Sequence, residues 1–236
     1  MSTLKPPKSI SRRQELREDK VVTAYARAYQ FADENRTMIY AAIAGIIVLI
    51  LLIVGWVWYQ NRQNEVAQDH LGRILTVYER GDYRQALDGT EARLGLRAIV
   101  DDFGRTDAGN MARFYAADAH YQLGEYDQAL EHFSRFSKSD DLIGASALAG
   151  EAAIHESRGE FRRAGDLYRR AAQHYESAAS SPQYFLSAGR AYEAAGEYDR
   201  ARDAYQAIVD NFPESQLAAN VDAYIARADA RRHSAQ

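Results

Sequence analysis

A six-residue string recurs four times in this chain: Gly81-Asp82-Tyr83-Arg84-Gln85-Ala86, Gly124-Glu125-Tyr126-Asp127-Gln128-Ala129, Gly159-Glu160-Phe161-Arg162-Arg163-Ala164 and Gly196-Glu197-Tyr198-Asp199-Arg200-Ala201. Successive glycines are 43, 35 and 37 residues apart. Each copy lies between two stretches of helical periodicity, so its glycine reads as the turn of a helical hairpin. Glycine takes positive φ without steric cost and ends the first helix; the acidic residue follows near the start of the second, where the helix dipole favours negative charge. The aromatic packs back into the hairpin, and the alanine three residues on lets the two helices approach closely. One such hairpin cannot bury its apolar face alone, and stacking several buries a continuous core.

The pattern extends beyond the turn. In the last copy Phe185, Gly189 and Tyr192 precede Gly196, and Ala201, Tyr205, Ile208 and Pro213 follow it. The copy from about Asn110 offers Ala117, His120, Ala129 and Phe133; the copy from about Ala145 offers Ala152, His155, Ala164, Tyr168 and Ala171. This spacing resembles the tetratricopeptide repeat. The first copy is degenerate. An insertion follows Ala86, and Ile99-Val100-Asp101-Asp102-Phe103 reads like Ile208-Val209-Asp210-Asn211-Phe212, so residues 91–103 are expected to form its displaced second helix. Residues 215–231 are expected to close the array, with Arg227, Arg231 and Arg232 exposed as a cap requires. No stretch shows sustained period-two alternation, and strands are not needed.

From Met38 to Tyr59 there are 22 residues without a charge. As a helix they span about 33 Å, against a hydrocarbon core of about 30 Å. A soluble core helix would show a polar stripe, and none is present. A cleaved signal peptide would have a shorter apolar run and small residues after it, where this chain has Trp56, Val57, Trp58 and Tyr59. With Tyr40 at the other end, the span has an aromatic belt at both interfaces. The short flank holds Lys5, Lys8, Arg12, Arg13, Arg17, Lys20, Arg27 and Arg36, which by the positive-inside rule keeps the N-terminus in the cytoplasm. Residues 1–13, with Pro6 and Pro7, are expected to be disordered. Between Gln14 and Asn35, Leu16, Val22, Tyr25, Tyr29 and Ala32 recur at helical spacing, which suggests a short amphipathic helix, either bound to headgroups or a cytoplasmic partner or simply solvated.

The expected fold class is all-α, one transmembrane helix followed by a tetratricopeptide-like right-handed helical-hairpin solenoid. Three domains are expected: a cytoplasmic basic tail over 1–37, the transmembrane helix over 38–59, and a repeat domain over 60–236 with three to four repeats and a capping helix.

Charge and composition exclude several functions. Residues 1–37 carry eight Lys/Arg against five Asp/Glu, while residues 60–236 carry 21 against 28. The repeat domain is thus acidic, which argues against nucleic acid as a partner. The chain has no cysteine, so disulfides, thiolate metal sites and cysteine nucleophiles are all absent. His120 and His155 stand where the repeat packs an aromatic. Glu151 and His155 share a helix face, but no second histidine completes a zincin pair. Asp101-Asp102 and Asp140-Asp141 read as solvated caps at interhelix turns. There is no phosphate loop and no nucleophile elbow. The chain is read as non-enzymatic, with no cofactor and no metal.

What remains is protein binding. The first helix of each hairpin lines the inner face of a solenoid, which places Phe114, Tyr115, Asp118 and Tyr121 in one repeat and Leu186, Arg190 and Glu193 in another on a candidate groove. Ala149, Gly150 and Ala153 would form a shallow floor between them. Alternatively, Phe114 and Tyr115 pack against residues 91–103 and are buried. Lys and Asn are not placed as in repeats that clamp C-terminal carboxylates.

The anchor with its Trp/Tyr exit and the degenerate repeats behind it resemble the ancillary SecYEG translocon subunit family of bacteria (YfgM-like), from about Phe31 to about Ala230. The resemblance implies a single-pass inner-membrane protein with a periplasmic repeat domain. It also implies partners among translocon subunits, a periplasmic chaperone or secreted clients. The basic tail and the insertion in the first repeat depart from the family pattern. A structural scaffold that holds one fixed envelope partner is the alternative.

Overall fold

The computed structural model describes Tyr29, Phe31 and residues 33–234. The tail over 1–13 lies outside these residues, as does most of the expected amphipathic helix over Gln14–Asn35. The chain divides into two compact units, Met1–Tyr59 and Gln60–Gln236.

Helix α1 (Arg36–Tyr78) is 43 residues long. Every residue from Tyr40 to Tyr59 is exposed, although almost all are apolar. A helix satisfies its own backbone hydrogen bonds, so such a stretch suits a lipid environment. It is long and apolar enough to cross a membrane and is compatible with a single-pass anchor. After Tyr59 the helix changes character. Ala67, Leu71, Ile74 and Val77, spaced three or four residues apart, are buried, while Asp69 and Arg73 pair on the exposed side at 2.9 Å. Residues 60–78 thus act as the first helix of the repeat array.

The first repeat departs from the all-helical expectation. After α2 (Tyr83–Asp88), strands β1 (Gly89–Thr90) and β2 (Arg93–Leu94) form an antiparallel pair, with Gly89 opposite Leu94 and Thr90 opposite Arg93. The displaced helix α3 (Leu96–Phe103) follows, starting at Leu96 instead of residue 91. The reason is local geometry. Gly89 has φ 85°, and a side chain on Gly95 would lie 2.3 Å from the Leu87 carbonyl oxygen, so the insertion folds back on itself with no room to spare. Leu87, Leu96 and Ile99 can then all be fully buried against α1. Asp101 and Asp102 sit inside α3 and not at a turn.

Three regular hairpins follow: α4 (Asp107–Gln122) with α5 (Tyr126–Arg135), α6 (Leu142–Ser157) with α7 (Phe161–His174), and α8 (Ser181–Ala194) with α9 (Tyr198–Asn211). A 3₁₀ turn (Ala218–Asn220) leads to α10 (Asp222–Ser234), so the closing helix begins later than expected. Capping is written in the sequence. The Thr106 hydroxyl accepts from Gly109 N at 3.0 Å and the Asp141 carboxylate from Gly144 N at 2.8 Å, each such cap contributing about 1 kcal/mol. Gly81, Gly124, Gly159 and Gly196 have φ between 74° and 84°. At the last three, the glycine N–H donates three residues back and the following glutamate N–H five back, as Glu125 N does to His120 O at 2.9 Å; this is the Schellman closure. The turn aromatics brace the hairpins: Tyr83 lies 5.5 Å from Tyr78 and Tyr126 5.6 Å from Tyr121. Helix α7 packs on both α6 and α8, and α9 on both α8 and α10, with a continuous core from Leu148 to Ala228.

Candidate protein-binding face

Two rows of side chains distinguish the repeats. The turn row is consumed by the fold. The Glu125 carboxylate takes the His120 Nδ1 at 2.6 Å and the Arg84 guanidinium from the preceding repeat; Arg84, then His120, hold Glu125 below the usual carboxylate range. One repeat later Glu160 takes His155 Nδ1 at 2.8 Å. In the last, Tyr192 donates to Asp166 at 2.8 Å, and Arg200 bridges Asp166 and Glu197. Burial, then the Asp166 carboxylate, push Tyr192 up to about 12. His120 and His155 are buried, as the repeat pattern implies. His120 also stacks on His132 at 5.4 Å and 11°. Burial, the largest cause, lowers both the His120 and the His132 imidazole below the ordinary value. Glu151 is paired with Lys138 at 2.8 Å. No group of three or more metal-binding side chains gathers among the described residues.

The other row runs along the first helices. Three residues before the turn glycines stand Tyr78, Tyr121, Glu156 and Glu193; six before them stand Leu75, Asp118, Ala153 and Arg190. Tyr78 donates its hydroxyl to Asp118, which also accepts from Gln122 at 3.4 Å. Tyr115 meets the Tyr78 ring edge-on at 5.1 Å. Tyr121 is half-buried; burial, then Tyr126 and the charges of Glu156 and Asp118, raise its ionisation above the ordinary value. Glu156 accepts from Tyr168 at 2.9 Å. Phe114 turns the other way, within 6 Å of Phe133 and Phe136. It packs on α5 and not on residues 91–103, whereas Tyr115 joins the cluster that contains Leu96 and Ile99.

At the C-terminal end, Leu186 is buried. Glu193 is only 8% exposed and accepts two hydrogen bonds from Arg227 near 3.0 Å, with Arg231 at 3.5 Å. Arg227 is thus exposed, as expected of the closing helix, and also fastens α10 to α8. Arg190 stays exposed, donates to the Tyr224 hydroxyl at 3.1 Å and lies 5.5 Å from that ring. The structure thus brings Tyr115, Asp118 and Tyr121 together with Tyr78 and Glu156. It sets Arg190 apart beside α10 and places Phe114, Leu186 and Glu193 in packing or latching roles. Glu156 and Tyr224 were missing from the sequence-derived set; the repeat offset that singled out Tyr121 also points to Glu156.

Comparison with known proteins agrees with this architecture. The tetratricopeptide repeat-like domain family matches residues 29–226. The chain belongs to that family. Among solved structures it is similar to a kinesin light chain with nearly identical TPR-like repeats from Podosopora anserina, with 14% identity, a TM-score of 0.54, and 71% of this chain and 87% of that one covered. A single-substitution variant of the same protein matches equally, with 86% of its chain covered. At this identity the likeness concerns the fold. No curated protein sequence matches the chain. Tetratricopeptide-like repeats mediate protein–protein interaction, and no catalytic family is indicated.

Proposed function

We propose that the protein is a single-pass inner-membrane adaptor whose repeat domain lies outside the cytoplasm and binds polypeptides at or near the Sec translocon. One observation carries this reading. The helix with a fully exposed apolar stretch from Tyr40 to Tyr59 continues into the first helix of a repeat array, and the inner row of that array carries the half-buried Asp118 and Tyr121 and the exposed Arg190. Lipid covers the first part; a polypeptide covers the second. The basic N-terminal flank supports a cytoplasmic N-terminus, and the resemblance to the ancillary translocon family supports the partner class. Domain limits of 1–37, 38–59 and 60–236 go with this reading.

Two measurements test it. Protease added to cells with a permeabilised outer membrane should remove residues 60–236 and spare the N-terminal tail; protection of the repeat domain until the inner membrane is opened would overturn the topology. Photocrosslinking from positions 121 and 190 should trap translocon subunits and many different exported chains. A single stoichiometric product would instead favour a scaffold with one fixed partner.

A further inference from the structure

The inner row is electrically bipolar. Around the seam between α4 and α6, Asp118 and Glu156 are both held by neutral donors, namely Tyr78, Gln122 and Tyr168. Neither makes an ion pair among the described residues; Asp118 stands one turn before Tyr121 on α4, and Glu156 occupies on α6 the register position that Tyr121 holds one repeat earlier. Tyr78 and Tyr115 extend the aromatic surface beside Asp118. At the seam between α8 and α10 the balance is reversed. Arg227 and Arg231 both pair with one carboxylate, Glu193, and Arg190 and Arg227 lie 5.5 and 4.9 Å from the single ring of Tyr224. Arg190 makes no ion pair among the described residues; the Tyr224 hydroxyl orients its guanidinium. Between the two ends lie Ala149 and Ala153, which contribute no charge.

From the groove reading proposed above, on which this rests, we infer that the occupant is an extended polypeptide segment carrying a basic side chain at one end and a carboxylate about six residues away. The cation sits over Tyr121 between Asp118 and Glu156, where two carboxylates and an aromatic face all favour a guanidinium or ammonium. The carboxylate pairs with Arg190. The spacing follows from the stack: neighbouring helices pack about 8–10 Å apart, so the two seams, two helix steps apart, are separated by roughly 20 Å. An extended chain covers that distance in about six residues. Such recognition is sequence-tolerant between the two charges, because the alanine floor reads little.

The test uses the full-length protein in lipid nanodiscs and four fluorescent twelve-residue peptides with a neutral Gly/Ser/Val background. One has Arg and Glu six residues apart; in the others Arg, Glu or both are replaced by Gln. The Arg/Glu peptide should bind about tenfold or more tighter than the doubly neutral one, since each charge-assisted contact is worth that factor, and the gap should narrow with added salt. Asp118→Asn with Glu156→Gln should abolish the advantage of peptide Arg and preserve that of peptide Glu; Arg190→Gln should do the reverse. Because the peptide substitutions leave the protein untouched, the reading is testable even where a variant folds poorly. Equal affinity for all four peptides, or effects that add without coupling, would overturn the charge assignment and leave the groove reading standing. If none of the peptides binds, and an unfolded carboxymethylated protein fails as well, both fall.

Discussion

Gly189 lies in the middle of α8, where alanine would ordinarily be the better helix former by about 1 kcal/mol. Gly189→Ala nevertheless should destabilise the protein. A Cβ at this position would sit 2.2 Å from Cε1 of Tyr205 and 2.6 Å from Cδ1 and Cζ, where carbon atoms normally rest about 3.5–4.0 Å apart. The ring would have to retreat by more than about 1 Å. It has little freedom to do so: Tyr205 is fully buried, its hydroxyl donates to Glu193 at 3.3 Å, and Tyr224 lies against it at 5.4 Å. Overpacking costs about 1–3 kcal/mol, and three ring atoms closer than 3 Å put this site in the upper part, about 2–3 kcal/mol; after the helix-propensity gain of about 1 kcal/mol the net loss should be about 1–2 kcal/mol. For a repeat domain of this size that lowers the melting temperature by roughly 2–8 °C. The control is Gly72→Ala on α1, where nothing lies within 4 Å and the full propensity gain of up to about 1 kcal/mol should appear. Far-UV circular dichroism melts and urea titrations of the detergent-solubilised chain read both. Equal shifts for the two variants, or a Gly189→Ala protein as stable as the parent, would refute the claim that glycine is there for close approach.

Three further perturbations follow from the same geometry. Gly159→Ala meets nothing within 4 Å but must hold φ +76°, so it should cost about 1–2 kcal/mol through backbone strain alone, read by urea titration. Acidification should destabilise the fold: His120 and His132 are depressed by burial, so the stability that depends on their being neutral is intact above the unfolded value of about 6.5. It is lost as pH falls below that value; the melting temperature should drop between pH 7.5 and 5.5, and His132→Gln should flatten the profile. Arg227→Ala should loosen α10, because Glu193 loses its bidentate partner. With Arg227 itself partly exposed, the cost should fall toward about 1–2 kcal/mol, seen as faster hydrogen exchange confined to residues 222–234.

The hairpin framework was legible because its signals are local. A turn glycine, an aromatic two residues on and an alanine three further each act within one hairpin, and all four turns are where the string stands. The β1–β2 hairpin was not legible. Its strands are two residues each, too short to show a period of two, and Gly95 reveals its role only through the Leu87 carbonyl it lies against. Asp101-Asp102 looked like a turn because two acidic residues often cap one; the burial of Leu96 and Ile99 kept them inside α3. The latches were also hidden. Arg84 and Glu125 are 41 residues apart and Arg227 and Glu193 are 34 apart, and only the stacking register brings such pairs together.

That register also explains why the groove chemistry was half visible. Residues that repeat unchanged, the turn glycine, aromatic and alanine, build the stack and have no freedom to specialise. The positions three and six before each turn glycine vary in charge and size from copy to copy: Asp118, Ala153 and Arg190 in one series, Tyr121, Glu156 and Glu193 in the other. Stacking converts this variation along the chain into a pattern across the inner face. Variation alone does not mark a binding residue, however, since Glu193 varies with its row and is spent on α10. In these two series the charges that no ion pair among the described residues answers are Asp118, Glu156 and Arg190, and these are the residues we propose for a ligand.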